Sequence, residues 1–236
     1  MVEIRRFKVL SFDCYGTLID WESGILQAVR PVLEAHDVKQ TDAQILDLYA
    51  QLESEAEGGE FKDYKTILRL VMKGIGEETG FKPTESELNS LTQAIPSWHP
   101  FPDTVKALQE LKKHFKLAIL SNIDDDLIAR SLKHLHVHFD WVVTAQQLRS
   151  YKPADQNFRE LVRRIGLPKS KILHVAQSIY HDIVPAKRSG LATVWVNRRK
   201  QVEGFGATPP AYAEPDLEVA DLKALAALLH RKGASA

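Results

Sequence analysis

The feature that most limits what this chain can be lies near its start. A short apolar run, residues 7–12, ends at Asp13, and Gly16 follows three residues later. The run is short, rich in branched and aromatic side chains, and stops at turn residues, which is the pattern of a buried strand. Gly16 lets the backbone turn sharply just after it. If further strands lie parallel to this one, Asp13 sits at the carboxyl edge of the sheet, where open parallel sheets bind their ligands. A plain capping or turn aspartate would look the same in isolation, so the weight falls on what the rest of the chain supplies.

The following eighty or so residues read as helix only. Residues 23–36 carry Ile25, Leu26, Val29, Val32 and Leu33 at helical spacing, with Pro31 expected to kink or divide them. A second helical pattern starts at Thr41 and is broken by Gly58 and Gly59. A third spans 61–75, and a fourth begins at Pro83 and Thr84 and ends at Pro96. From Pro102 the rhythm changes. Helices are expected over 103–114 (capped by Asp103), 124–134, 155–165 (closed by Gly166) and 180–189, and an Ala/Leu-rich one within 217–230. Strands are expected over 116–120, 139–143, 172–176 and 191–196. Strands alternating with helices of this length predict an α/β fold with a Rossmann-like parallel sheet. The helical block after the first strand predicts an inserted cap domain, 21–96, on a core formed by 1–20 and 97–236.

Charge narrows the partners. Lys plus Arg and Asp plus Glu number 31 each, so no global field draws the chain to nucleic acid or to an anionic membrane. No apolar run approaches the roughly 18 residues that span a bilayer. The charged N-terminus leads straight into a strand, unlike a signal peptide. The single cysteine, Cys14, excludes an internal disulfide framework and reads as a small buried side chain. A cytoplasmic protein is the expectation. The cluster Arg198, Arg199, Lys200 reads as a solvated loop, and His134, His136 and His138 are spaced like one face of a strand. Trp21, Trp98 and Phe101 suit either a substrate pocket or the packing of cap on core.

Chemistry-bearing residues gather after the strands. Asp13 follows the first, and Ser121 and Asn122 follow the second. Lys152 comes about nine residues after the third, and Gln177, Ser178 and Asp182 follow the fourth. Ser-Asn is often only a turn and Lys-Pro is common in loops. Four strand ends that each supply a suitable residue imply one crevice.

The stretch Asp13-Cys14-Tyr15-Gly16-Thr17-Leu18 resembles the first motif of the haloacid dehalogenase superfamily. Ser121-Asn122, Lys152 and 174–182 are similar to its remaining motifs. The resemblance implies that Asp13 is a nucleophile forming a covalent ester, that Lys152 offsets its charge and that Asp182 positions or activates water. It also implies that Thr17, Ser121 and Asn122 hold the Asp13 carboxylate or a substrate carboxylate, with Tyr15 and Ser178 beside them. Phosphatases of the superfamily carry aspartates at the places of Tyr15 and Gln177, the second as a magnesium ligand. Their absence points to the L-2-haloacid dehalogenase branch, with a small carboxylate as substrate and no metal or cofactor. By analogy, a homodimer is expected.

One departure stands out. Dehalogenases typically carry an early cap Arg that receives the halide, and residues 46–53 hold none, while Arg69 lies too far on. Local words of the chain are also similar to azetidine-2-carboxylate hydrolase, which breaks a carbon–nitrogen bond and needs a proton donor. Tyr15, Tyr49, His181 and a cap acid are the candidates.

Overall fold

The computed structural model describes residues 3–200, 202 and 204–230. Six strands form one sheet: β1 (Val9–Phe12), β2 (Lys116–Ser121), β3 (Trp141–Thr144), β4 (Ile172–Ala176), β5 (Ala192–Val196) and β6 (Leu217–Val219). Their order is β3-β2-β1-β4-β5-β6, and every pairing is parallel. The expected Rossmann-like α/β sheet is therefore present. All four residues of β1 are fully buried, because the strand has neighbours on both edges and cover on both faces. The chain leaves β1 towards β2 and β3, then crosses to β4 on the other side. The reversal lies between β1 and β4, the place where such sheets form a crevice.

Between β1 and β2 lie α1 (Trp21–Ala35), α2 (Asp42–Glu57), α3 (Tyr64–Thr79), α4 (Glu85–Leu88), α5 (Ser90–Ala94) and then α6 (Thr104–Lys112). Local chemistry explains the starts of the first four. Asp20 and Asp63 accept amides of Ser23 and Thr66, and Thr41–Gln44 and Thr84–Glu87 form reciprocal capping boxes. α1 is not divided at Pro31. Pro31 and Gln27, whose carbonyl loses its partner, both lie on the exposed side of the helix, where an orphaned carbonyl costs least. The fourth expected helix is two short ones followed by a 3₁₀ turn, Ile95–Ser97; Pro96 lies inside that turn, where its missing N–H needs no acceptor.

The chain crosses between sheet and helical layer twice, side by side. The Asp20 amide donates to the His99 carbonyl (2.9 Å) and the Phe101 amide to the Leu18 carbonyl (3.1 Å). Trp98 lies at this crossing, its ring edge-on to Tyr15.

The second half alternates as expected, with α7 (Asp125–Leu135), α8 (Ala145–Leu148), α9 (Asp155–Ile165), α10 (Val184–Arg188) and α11 (Leu222–Ala227). Gly166 closes α9 in the left-handed conformation. Several expectations need correction. Residues 179–183 form a π-turn ahead of α10 instead of regular helix, which widens the chain just before Pro185. Residues 217–219 are an edge strand, too short to show a period in sequence. Asp103 makes no side-chain cap; it pairs with Arg198 (2.9 Å) and accepts the Leu222 amide (2.8 Å). Arg198 thus leaves the solvated cluster read from sequence: it also donates to the Thr17 carbonyl and lies over the Phe101 ring. The three histidines share no face, since His134 is in α7 and bonds the Pro96 carbonyl while His136 takes a left-handed turn.

A methyl group added at Gly24 would stand 2.4 Å from the buried Trp98 ring. Gly24→Ala should therefore lower the melting temperature by roughly 4–8 °C in a calorimetric scan, and should shift the Trp98 fluorescence as the ring is pushed from Tyr15.

Candidate active site

β1 ends at Phe12, and the next residue, Asp13, keeps strand pairing by donating its amide to the Val175 carbonyl (3.2 Å). Its carboxylate therefore leaves the sheet between β1 and β4. Oδ1 accepts from Lys152 Nζ (2.8 Å) and Oδ2 from Thr17 Oγ1 (2.7 Å). Thr17 is aimed by a second bond, its Oγ1 accepting the Gln177 amide (2.9 Å). Gly16, at φ 88°, makes the turn that brings Thr17 back over Asp13.

Lys152 comes from the loop after α8. All three of its N–H groups are used: on Asp13, on Asp182 Oδ1 (2.8 Å) and on the Leu120 carbonyl (3.2 Å). Its backbone is clamped by Asn122, whose Oδ1 accepts the Lys152 amide (2.7 Å) and whose Nδ2 donates to the Lys152 carbonyl (3.0 Å). Asp182 is delivered by the π-turn and is fully buried; Oδ1 also bonds His174 Nε2 (2.9 Å), while Oδ2 has no partner. His174 Nδ1 meets Ser11 Oγ (2.9 Å) across the β1–β4 register. A buried chain thus runs Ser11–His174–Asp182–Lys152–Asp13.

The electrostatics follow from one cation between two carboxylates. Both anions keep Lys152 protonated, holding its pKa above the ordinary lysine value against the opposing effect of burial. Burial raises the Asp182 pKa, but Lys152 and His174 outweigh it, so Asp182 lies below the usual carboxylate range. Asp13 lies above that range, because burial, with the Asp182 charge added, exceeds what Lys152 and Thr17 offset. Asp13 is the more basic oxygen of the two. His181 is neutral, its pKa pushed down to about 4 by burial and by Lys152.

The structure brings all eight sequence-expected residues to one place, with different duties. Asp13, Tyr15, Ser121, Asn122, Lys152, Ser178 and Asp182 line a single cavity, and Thr17 lies directly behind Asp13. The Tyr15 hydroxyl is turned to Ser131 Oγ (2.8 Å), so it lends the cavity its ring. Ser178 Oγ accepts the His181 amide (3.0 Å). Of the aromatic candidates, Trp21 lines the cavity, and Trp98 and Phe101 pack at the crossing.

Sequence reading raised an unnamed acid of the helical layer as a candidate and did not single out the residues of that layer that line the cavity. Glu53, Glu57 and Tyr64 line the same cavity, and so does Thr208. Glu53 is buried, and its Oε1 accepts from Tyr49 Oη (2.9 Å) and Tyr64 Oη (2.5 Å). Burial pushes its pKa up to about 7, against the pull of those two bonds. Glu57 accepts from Asn122 Nδ2 (3.1 Å), and burial and the neighbouring Glu53 raise its pKa well above the ordinary value. A signal was present: Leu46, Tyr49 and Glu53 fall on one helical stripe, so an acid stands where the period asks for an apolar residue. Arg69 is elsewhere, on Asn89 and Glu85, and among the described residues that line the cavity Lys152 is the one Lys or Arg.

The family model of haloacid dehalogenase-like hydrolases matches residues 10–196. The chain is 28% identical over 228 residues to an (S)-2-haloacid dehalogenase of Pseudomonas sp. (strain YL), covering 94% of each. It is also 28% identical over 200 residues to a glyceraldehyde 3-phosphate phosphatase of Methanothermobacter thermautotrophicus, covering 80% of this chain and 85% of that protein. Among solved structures, the L-2-haloacid dehalogenase of Xanthobacter autotrophicus superposes with a TM-score of 0.77 at 25% identity, over 97% of this chain and 100% of that one. The same dehalogenase with chloropropionic acid covalently bound gives 0.76.

A carboxyl whose folded pKa is raised favours the native state while protonated. For Glu53 that stability is full below the unfolded value of 4.5 and is lost as pH rises towards the folded value of about 7. Urea denaturation of wild type between pH 5 and 8 should show a decline on the order of 2–3 kcal/mol from this group. Glu53→Gln should flatten that part of the profile; an unchanged slope would mean that Glu53 is ionised throughout.

Proposed function

Since the chain belongs to the haloacid dehalogenase-like hydrolases, we propose that it hydrolyses the bond between a leaving group and the carbon next to a small carboxylate, as a 2-haloacid dehalogenase does. The observation that carries this reading is Asp13 held at both oxygens, by Lys152 and by Thr17. An attacking carboxylate must be ionised and fixed in direction; those two bonds fix its direction and favour its charged form against the opposing effect of burial.

The reaction runs in two steps. An Asp13 oxygen attacks the substrate's C2, forming a carbon–oxygen bond as the halide leaves with the bonding pair. The product is an ester on Asp13. Water then attacks the Asp13 carbonyl carbon; the C2–O alcohol leaves as a 2-hydroxy acid, Asp13 returns as carboxylate, and one proton is released. Asp182 Oδ2, buried and without a partner, suits the role of holding that water. Lys152 keeps the Asp13 region neutral enough to receive an anion. Ser121, Asn122 and Ser178 border the substrate, and Tyr15 and Trp21 supply apolar walls. On this reading 21–96 is a cap domain on a core formed by 1–20 and 97–236, and the working protein is a cytoplasmic enzyme, as a homodimer by analogy.

Phosphatases of the family use magnesium, and the residues here do not fit that ion. Tyr15 points its hydroxyl at Ser131, Gln177 is a neutral donor, and the space between Asp13 and Asp182 is bridged by the Lys152 ammonium. The likeness to a phosphatase therefore supports the shared fold, and not phosphate chemistry at this site.

A second reading has its own observation. Glu53 and Glu57 line the cavity, and acids that hold protons near neutral pH suit a basic nitrogen leaving group, as in azetidine-2-carboxylate hydrolysis.

Halide release from (S)-2-chloropropionate should be measurable, should survive EDTA and should fall at least about 10³-fold in Asp13→Asn. Activity on a phosphate ester that EDTA abolishes would overturn the reading. The rate with any substrate should fall in acid as Asp13 takes a proton, at a pH above the ordinary carboxylate range. With a nitrogen leaving group it should also fall as pH rises through about 7, where Glu53 loses its proton; with a halide that second limb should be absent.

A further inference from the structure

Two polar residues of the sheet, Ser11 and His174, are register partners on β1 and β4, and both are fully buried. Apolar side chains would fill that space without the cost of burying polar groups. Their hydrogen bonds run towards Asp182. His174 Nε2 lies 2.9 Å from Asp182 Oδ1, and an ionised Asp182 has no proton to give, so Nε2 donates. Ser11 Oγ meets Nδ1 on the other side of the ring (2.9 Å), and Phe158 stands edge-on to it, the ring centres 5.2 Å apart. The imidazole is therefore held from three sides against turning away from Asp182. On that carboxylate both side-chain donors, His174 and Lys152 (2.8 Å), meet the same oxygen, and Oδ2 has no partner among the described residues. A single donor would leave the carboxylate free to turn and offer Oδ2 to Lys152 instead. Two donors, one from β4 and one from the loop after α8, fix its plane and keep Oδ2 open.

We infer that Ser11 and His174 are positioning residues for hydrolysis of the Asp13 ester: they hold Asp182 with Oδ2 open to the attacking water and leave the first step untouched. The inference rests on the proposed two-step reaction and assigns these residues to its second half. In that half a water proton passes to Asp182 Oδ2 as the water oxygen bonds to Cγ of Asp13. The Cγ–O bond to the substrate then breaks, its pair goes to the alkoxide, and the alkoxide takes the proton from Oδ2. The remaining water proton leaves as Asp13 returns to carboxylate. A carboxylate that turns loses its line to the water, and a misplacement of about 1 Å costs on the order of 10²-fold. The first step makes no such demand on Asp182. Asp13 is aimed by Lys152 and Thr17, whereas the side-chain hydrogen bonds of Ser11 and His174 go to each other and to Asp182.

The two steps are separable by kinetics with (S)-2-chloropropionate. His174→Phe and Ser11→Ala remove the contacts, and His174→Gln keeps a donor near the place of Nε2. When ester hydrolysis limits turnover, slowing it lowers kcat and KM together and leaves kcat/KM, set by the first step, unchanged. The expected result is that His174→Phe lowers kcat on the order of 10²-fold with kcat/KM kept. Ser11→Ala should do the same less strongly, and His174→Gln should recover most of the loss. In the slowed variants halide should appear in a burst of about one equivalent per enzyme, and intact-protein mass spectrometry of quenched samples should show the propionate ester on Asp13. Circular dichroism and thermal melts check that each variant is folded; should His174→Phe fail to fold, Ser11→Ala and His174→Gln decide. A kcat/KM that falls as far as kcat, wild-type turnover in the folded disruptive variants, or a His174→Gln as slow as His174→Phe would overturn the inference. Asp182→Asn separates this from the underlying reading. Ester that accumulates in Asp182→Asn and in neither His174→Phe nor Ser11→Ala removes the positioning role alone; no ester in any of the three removes the two-step reaction and the inference with it.

Discussion

The structure depends on one ammonium group buried between two carboxylates. A lone lysine at this depth would be strongly unfavourable, and so would either aspartate. Together they persist because every donor of Lys152 has an acceptor and because Asn122 fixes the backbone that carries it. Such an arrangement needs its three members to arrive from separate parts of the chain at one point. The sheet order does this. Asp13 follows β1, Asp182 follows its neighbour β4, and Lys152 descends from the connection that crosses between the two halves of the sheet. The reversal of strand order is thus what gives the charges an address.

The helical layer completes that address. Its second helix contributes Glu53 and Glu57, and Glu57 reaches across to Asn122, the residue that clamps Lys152. The third helix begins on the core: its first two amides, of Tyr64 and Lys65, are accepted by the two oxygens of the buried Asp124 (2.9 and 3.0 Å). A helix start normally finds its acceptor in its own chain neighbour, and α3 has Asp63 for one further amide. Placing the second acceptor on the sheet side fastens the layer beside the cavity, and the Tyr151 hydroxyl on the Lys62 carbonyl (2.8 Å) reinforces it.

Much of the site was legible because each member stands at the end of a strand that the sequence marks by composition. Asp13, Ser121 and Asp182 follow apolar runs, and Thr17 follows the glycine that turns the chain back. The rest was hidden for definite reasons. Ser11 and His174 lie inside strands, where a polar residue between apolar ones reads as ordinary alternation; only the β1–β4 register shows that they touch. Arg198 looked solvated because its partners, Asp103 and the Thr17 carbonyl, are about 95 and 181 residues away. Thr208 comes from a loop without a period. Glu53 was readable in principle, as an acid on an apolar stripe, but its meaning required Tyr64, a residue on the next helix. Pro31 misled in the other direction, since the cost of a proline in a helix depends on whether water reaches the orphaned carbonyl.

The shared ownership of the α3 start by Asp124 has a consequence for recombining proteins of this kind. The helical layer looks like a cassette, joined by two adjacent crossings and open to exchange between relatives. Asp124 belongs to the other side of that seam by sequence, yet it supplies the acceptors of the cassette's own helix. A chimera cut at the crossings would import a helix whose first amides face a foreign residue, and would lose the Glu57–Asn122 contact in the same stroke. The transferable unit is therefore the helical layer plus residues 122–124 of the sheet side, a boundary that follows hydrogen bonds instead of chain order.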